Sequence, residues 1–177
     1  MSSSPIRLHP GPSAGFDEPF EMLAACHDRV ARMLALLERL AGHLPDHGCD
    51  DAAKGAAADI MRYFDVAAPA HHEDEERHVL PALRAAGDEA FAAQIEQEHI
   101  EMRRRWAELR RTLAAVAAGH WADTGPGAFE AWQQFAVLYR AHAEAEDRMA
   151  YPLAQEHLDA AARQAMGHEM AVRRGVR

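Results

Sequence analysis

Apolar residues recur every three or four positions along four stretches of the chain, and that recurrence predicts four long helices. In the first stretch Phe20, Leu23, His27, Val30, Leu34, Leu37, Ala41 and Leu44 share one face. Asp17 and Glu18 ahead of Pro19 supply a helix start, so this helix is expected over about 18 to 44, with a loop from Pro45 to Gly48. The second stretch presents Ile60, Phe64, Ala67, His71, Glu75, Val79 and Ala82 inward and closes at Gly87, with Pro69 expected to bend it one turn before the histidine. The third starts at Asp88 and Glu89 and carries Ala92, Ile95, His99, Met102, Trp106, Leu109, Leu113 and Val116 as far as Gly119. After a turn-rich connection over 119–127, Trp132, Phe135, Leu138, His142, Glu146, Met149 and Leu153 define the fourth. No run alternates β-branched and aromatic residues between turn signals, so a sheet is not expected.

Long amphipathic helices with short connections favour an all-α fold, an antiparallel up-down-up-down four-helix bundle. The Ser-, Pro- and Gly-rich residues 1–16 are expected to form a disordered tail, residues 17–157 the bundle, and residues 158–177 a short extra helix with a basic tail.

A repeat inside this pattern points to chemistry. FDVAAPAHHEDEERHVLP from Phe64 and FAVLYRAHAEAEDRMAYP from Phe135 align without a gap, and eight of the eighteen positions are identical. The shared residues include His71/His142, Glu75/Glu146 and Pro81/Pro152. A histidine and a glutamate four apart stack on one helix face, so each repeat aims an imidazole and a carboxylate at one place. His27 lies about 9 residues from the start of its helix and His99 about 11 from the start of its own, while His71/Glu75 and His142/Glu146 lie about 10 to 15 from the ends of theirs. In an antiparallel bundle those positions coincide in depth. Every helix then delivers a histidine to one interior layer.

Imidazoles and carboxylates are costly to bury unless paired or bound to metal. Four histidines with two carboxylates and no thiolate suit a dinuclear iron, manganese or zinc site in which the glutamates bridge the ions. The wider composition is consistent with this. A net charge of −9 with 19 Lys and Arg argues against nucleic acid or an anionic membrane as partner. Nothing resembles a signal peptide or an apolar span of some twenty residues, and Cys26 and Cys49 make no disulfide framework; a cytoplasmic protein, compatible with a homodimer, is the expectation.

The lone His27 in CHDR, HHEDEERHVLPAL from His71, His99 in EHIEMR and HAEAEDRMAYPL from His142 resemble hemerythrin, and more closely the bacterial hemerythrin-like family called HHE cation-binding. The resemblance spans residues from about 18 to 157. It implies two non-haem irons held by His27, His71, Glu75, His99, His142 and Glu146, with Glu75 and Glu146 as bridges. Two departures bear on the oxygen-carrier role. Arg103 stands where oxygen carriers have a further histidine, and this chain ends with His142 and Glu146 four apart rather than a His and an Asp five apart. Other members fill the vacant position from the residue after the second-helix histidine, which makes His72 a candidate fifth nitrogen ligand.

Blander readings stand beside these. HHEDEERH also reads as a solvated face, and a competing register would turn His72 and Glu76 inward together with Asp65. A lone histidine such as His27 or His99 in an apolar stripe is often a hydrogen-bonded core residue. Glu96 and Glu98 fall off the stripe and read as solvated. Cys26 reads as a small buried residue, and Tyr63, Tyr139 and Tyr151 as packing or as hydrogen-bonding neighbours of the layer. In function, a di-iron protein that binds or senses O2 or NO, in stress response or iron handling, competes with a redox enzyme acting on peroxide, NO or O2. Ferritin-like iron oxidation through Glu75/His78 and Glu96/His99, and a metal-free structural bundle, are the remaining readings.

Overall fold

The computed structural model of the chain describes residues 15–121 and 127–176, so the expected N-terminal tail, apart from its last two residues, and most of the 119–127 connection lie outside the described residues. Helix α1 spans Pro19–His47, with the proline in its first turn, where a fixed backbone angle and a missing N–H do no harm. It runs past the expected loop at Pro45. A proline in the last turn keeps a helical φ and leaves a single carbonyl without its donor, so the helix continues until Gly48 N donates to the Leu44 carbonyl at 2.9 Å.

Helix α2, Asp51–Asp74, is capped by Asp50, whose carboxylate accepts from Ala53 N at 2.8 Å, and it passes through Pro69 without a break. A π-helical turn, Glu75–Val79, joins it to α3, Leu80–Ala85. Gly87, at φ 90°, then allows Asp88 N to reach back to the Leu83 carbonyl at 3.0 Å and ends the rod. Helix α4 spans Glu89–Ala117 and α5 Ala128–Ala145. A second π-helical turn, Glu146–Ala150, leads into α6, Tyr151–His157, and α7 follows over Ala160–Arg173 behind an Asp159 cap. No strand occurs among the described residues.

Both π turns were missed from sequence, and both precede a proline at the second position of the next helix, Pro81 and Pro152. Proline cannot donate to the carbonyl four residues back, and its ring crowds that carbonyl, so the ladder must be reset there. Leu80 N and Tyr151 N accordingly bond five residues back, to the carbonyls of Glu75 and Glu146. The extra residue shifts the inward register. Met149, expected inside, is 53% exposed and Ala150 is buried in its place. Ala67 is likewise exposed and Ala68 buried, because both His71 and His72 face inward and move the stripe by one; Leu138 is half-buried, between inward-facing Ala136 and Tyr139.

The helices close a ring in the order α1, α2, α4, α5, each packed on two neighbours, as the antiparallel bundle requires. Two apolar clusters fill it. One, toward the α1–α2 turn, contains Leu34, Leu37, Leu44, Ile60, Phe64, Leu113, Trp132 and Phe135. The other, toward the α3–α4 turn, contains Phe20, Leu23, Val79, Leu83, Ile95, Ala150, Tyr151 and Met170. Each fully buried leucine or phenylalanine contributes about 1.5–3 kcal/mol. Between the clusters every rod carries its buried polar residues: His27, then His71, His72, Asp74 and Glu75, then His99, then His142 and Glu146. Helix α7 lies against the start of α1, and Gly167 is what permits the contact, since a Cβ there would come 1.8 Å from the Phe16 carbonyl oxygen. Among the described residues no helix is long and apolar enough to cross a membrane.

Candidate metal centre

The layer between the apolar clusters brings together all seven sequence-derived candidates. Glu75 and Glu146 are 0% exposed, as is His99, and His27, His71, His72 and His142 are 2–6% exposed. The carboxylates sit where each α helix passes into its π turn, which sends the chain on without moving the His-to-Glu spacing of four. Four rings present Nε2 inward. His27 and His71 face each other at 3.0 Å between those atoms, and His99 and His142 at 3.2 Å.

The carboxylates lie among these nitrogens. Glu75 Oε1 is 3.1 Å from His71 Nε2, and Glu75 Oε2 is 3.4 Å from His99 Nε2. Glu146 Oε2 is 3.1 Å from His142 Nε2 and 3.2 Å from His27 Nε2. Close as they are, Glu75 Oε2 and both Glu146 oxygens accept no hydrogen bond, because the donors do not point at them. Donor atoms about 2.1 Å from a first-row ion and at right angles to one another would stand about 3.0 Å apart, so the spacing suits shared coordination better than hydrogen bonding. Two groups can be drawn whose ligating atoms lie within 4.8 Å of one another: His72, Glu75, His99 and His142, and His27, His71, Glu75 and Glu146. Glu75 belongs to both.

The outward nitrogens are tied down by carboxylates. His27 Nδ1 donates to Asp147 at 2.9 Å, His99 Nδ1 to Glu76 at 3.1 Å and His142 Nδ1 to Glu98 at 2.7 Å. Each such bond fixes the tautomer that leaves an Nε2 lone pair for the interior. His71 Nδ1 has no hydrogen-bond partner, and Cys26 is the thiol beside it. Glu98, expected to be solvated, is therefore part of the layer's support. Sequence reasoning also missed Glu76 and Asp147, although they occupy one aligned position of the repeat and both are acidic, which was the available signal.

Electrostatics show what the cage lacks. Burial opposes charge on every group, yet Asp147 and Glu146 raise His27 to about 9, and the surrounding glutamates raise His99 to about 11. His71 and His142 are raised in the same way, again against burial. Against their own burial, Glu75 and Glu146 are held below the ordinary carboxylate range by these rings. Two buried carboxylates thus demand positive charge, which protons supply in the metal-free chain and a cation would supply in their place. His72 differs: burial and the neighbouring His99 hold it well below its ordinary value, so it stays neutral. It stacks on His99 at 4.1 Å between ring centroids, with the Tyr139 hydroxyl 2.9 Å from its Nε2.

The tyrosines divide. Tyr151 donates a short hydrogen bond to Glu75 Oε1 and stacks on His27, whereas Tyr63 donates to the Cys26 carbonyl at 3.3 Å. The choice between His71 and His72 dissolves, since both rings face inward while Asp65 points out and pairs with Arg110. The Glu-x-x-His pairs of the ferritin-like reading are not assembled: His78 pairs with Glu169 and Glu96 with Arg84. Two openings border the layer. A groove of about 340 Å³ between α1 and α5 reaches His27 and Asp147 past Ala143, and a pocket of about 30 Å³ between Phe64, Met102 and Trp106 reaches His72.

The family model for the hemerythrin HHE cation binding domain matches residues 18–154. An uncharacterized protein of Haemophilus influenzae is 30% identical over 172 residues, covering 96% of this chain and 98% of that protein.

Proposed function

The chain belongs to the hemerythrin HHE cation-binding family, and from that premise we propose that it is a non-haem di-iron protein that binds or senses a small diatomic ligand, O2 or NO. The observation that carries this reading is the set of buried carboxylate oxygens without hydrogen bonds, Glu75 Oε2 and Glu146 Oε1 and Oε2, in a cage of histidine nitrogens. Two carboxylates buried side by side cost several kcal/mol unless positive charge sits among them, and the surrounding histidine nitrogens at 3.1–3.4 Å are placed to share a cation with them. Nitrogen and oxygen donors without thiolate fit iron, with zinc or manganese as substitutes.

In this reading His99, His142 and His72 would hold one ion and His27 and His71 the other, with Glu75 placed to serve both and Glu146 grouped with His27 and His71. When bound, the iron pair supplies redox-active, coordinatively unsaturated centres for a diatomic ligand. The chain's residues do the rest. Asp147, Glu76 and Glu98 orient three rings through their Nδ1 atoms, and the apolar clusters above and below exclude water. Each group offers four ligand residues, so a six-coordinate ion in either would keep open positions, the His27/His71 side included. The groove between α1 and α5 leads to that side.

Electronic spectra of the iron-loaded protein with and without O2 and NO, against a zinc-loaded control, test the reading. Two irons per chain and a stable adduct absent from the zinc form are expected, and both should vanish with His71→Ala or His142→Ala. Retention of iron in both variants would overturn it. The Tyr151 hydroxyl, bonded to Glu75 and 3.3 Å from His27 Nε2, supports a second reading, turnover of peroxide, NO or O2 with Tyr151 as a proton source. Steady consumption of oxidant, reduced by Tyr151→Phe, would favour that reading over simple binding.

A further inference from the structure

The family match ends at residue 154, and the chain then adds α7, Ala160–Arg173, which reaches back to the metal layer. Asp74 is 0% exposed, one position before Glu75. Its carboxylate accepts from Arg173 Nη2 at 2.6 Å and from Arg174 Nη1 at 2.8 Å, and a short bond from Arg174 Nη2 reaches its other oxygen. The same Arg174 Nη2 donates to the carbonyl of Ala70, the residue before His71, at 3.2 Å. Farther along, Glu169 of α7 accepts from Arg173 and from His78 Nε2 at 2.8 Å, and it lies 3.6 Å from Arg77. Residues before, at the edge of and within the first π turn are thus all tied to one helix.

We propose that α7 is a clamp on the first ligand-bearing turn, in which Arg173 and Arg174 are positioning residues that hold Asp74 and so keep His71, His72 and Glu75 in register for a divalent cation. The proposal rests on the metal-centre reading above. Pro81 resets the ladder into a π turn, as Pro152 does in the second repeat, but it does not fix the leading edge of that turn, where Asp74 stands. Two planar guanidiniums on one buried carboxylate supply fixed, directional bonds for that purpose. Anchorage of α7 itself comes from elsewhere, through Met166, Met170 and the close approach of Gly167 to Phe16. Helix position and arginine contacts can therefore be disturbed separately. The second repeat makes the contrast: Ala145 stands in place of Asp74 and Met149 in place of His78, although Arg148 pairs with Glu144 just as Arg77 pairs with Glu73.

Hydrogen exchange by mass spectrometry on the full metal-free chain tests the clamp directly. Asp74→Asn, Arg174→Lys and the double variant Arg173→Ala/Arg174→Ala should speed exchange across residues 75–79 by tenfold or more, and leave residues 146–150 at the wild-type rate. Met170→Ala, which loosens α7 but keeps both arginines, should leave residues 75–79 unchanged. Cobalt(II) affinity, read by chelator competition, should fall about 10- to 100-fold in the arginine and Asp74 variants and stay at wild type in Met170→Ala. Unchanged exchange at 75–79 in the arginine variants, or an equal response to Met170→Ala, would overturn the clamp. A wild-type chain that takes up no cobalt would overturn the metal reading itself, a result separate from the exchange data.

Discussion

The two repeats agree at His71/His142, Glu75/Glu146 and Pro81/Pro152, and they part at His72/Ala143, Asp74/Ala145 and His78/Met149. The agreements place one ring, one carboxylate and one π turn on each of two rods. The differences give the first repeat an additional inward ring and an anchored carboxylate, and leave the second with Ala143 in the wall of a groove open to solvent. One copy of the motif is built for rigidity. The other lies open to solvent, and on the function proposed above a centre that holds ions while admitting a ligand would need both.

The sharpest break in that symmetry is at the shared carboxylates. Glu75 belongs to both candidate groups and Glu146 to one, so Glu75→Ala should leave no iron on the chain while Glu146→Ala retains about one of two, measured as metal per chain after anaerobic loading. Next in size is the extra ring of the first repeat: His72→Ala should weaken metal retention about 10- to 100-fold without unfolding the protein, whereas Ala143→Ser at the matching place should leave it unchanged.

The response to pH follows from the raised histidines. His27 rises from an ordinary 6.5 to about 9, so the stability it contributes to the metal-free chain is complete below about 6.5 and is lost as pH climbs through about 9. Cations compete with those protons and should bind more tightly over the same interval. Melting temperature in chelator should therefore drop across that window while zinc affinity increases; parallel trends would count against the cage. The smallest effect is expected at the exposed Arg140–Glu38 pair on the second repeat's helix, 45% and 46% exposed, where Arg140→Ala should cost no more than about 1 kcal/mol in denaturant unfolding.

Much of this was legible in the sequence because helices obey a short-range rule. Spacing along each stripe places the helices, and depth along each rod places His27, His71, His99 and His142 in one layer. What stayed hidden depends on contacts between rods. Glu98 reads as a solvated residue until α5 brings His142 beside it, and Asp74 reads as part of a charged run until Arg173 and Arg174 arrive from about a hundred residues away. The π turns lay between these cases. The repeated proline announced an interruption, but only the coordinates show that it takes the form of one added residue rather than a kink.

That added residue also sets the tolerance of the chain to changes in length. Each π turn takes up one residue more than an α turn, so deleting a single residue between Glu75 and Pro81, or between Glu146 and Pro152, would close the turn to α geometry and set the proline ring against the carbonyl four residues back. Length in these two short stretches is thus constrained by the proline that follows each, separately from what the side chains within them hold.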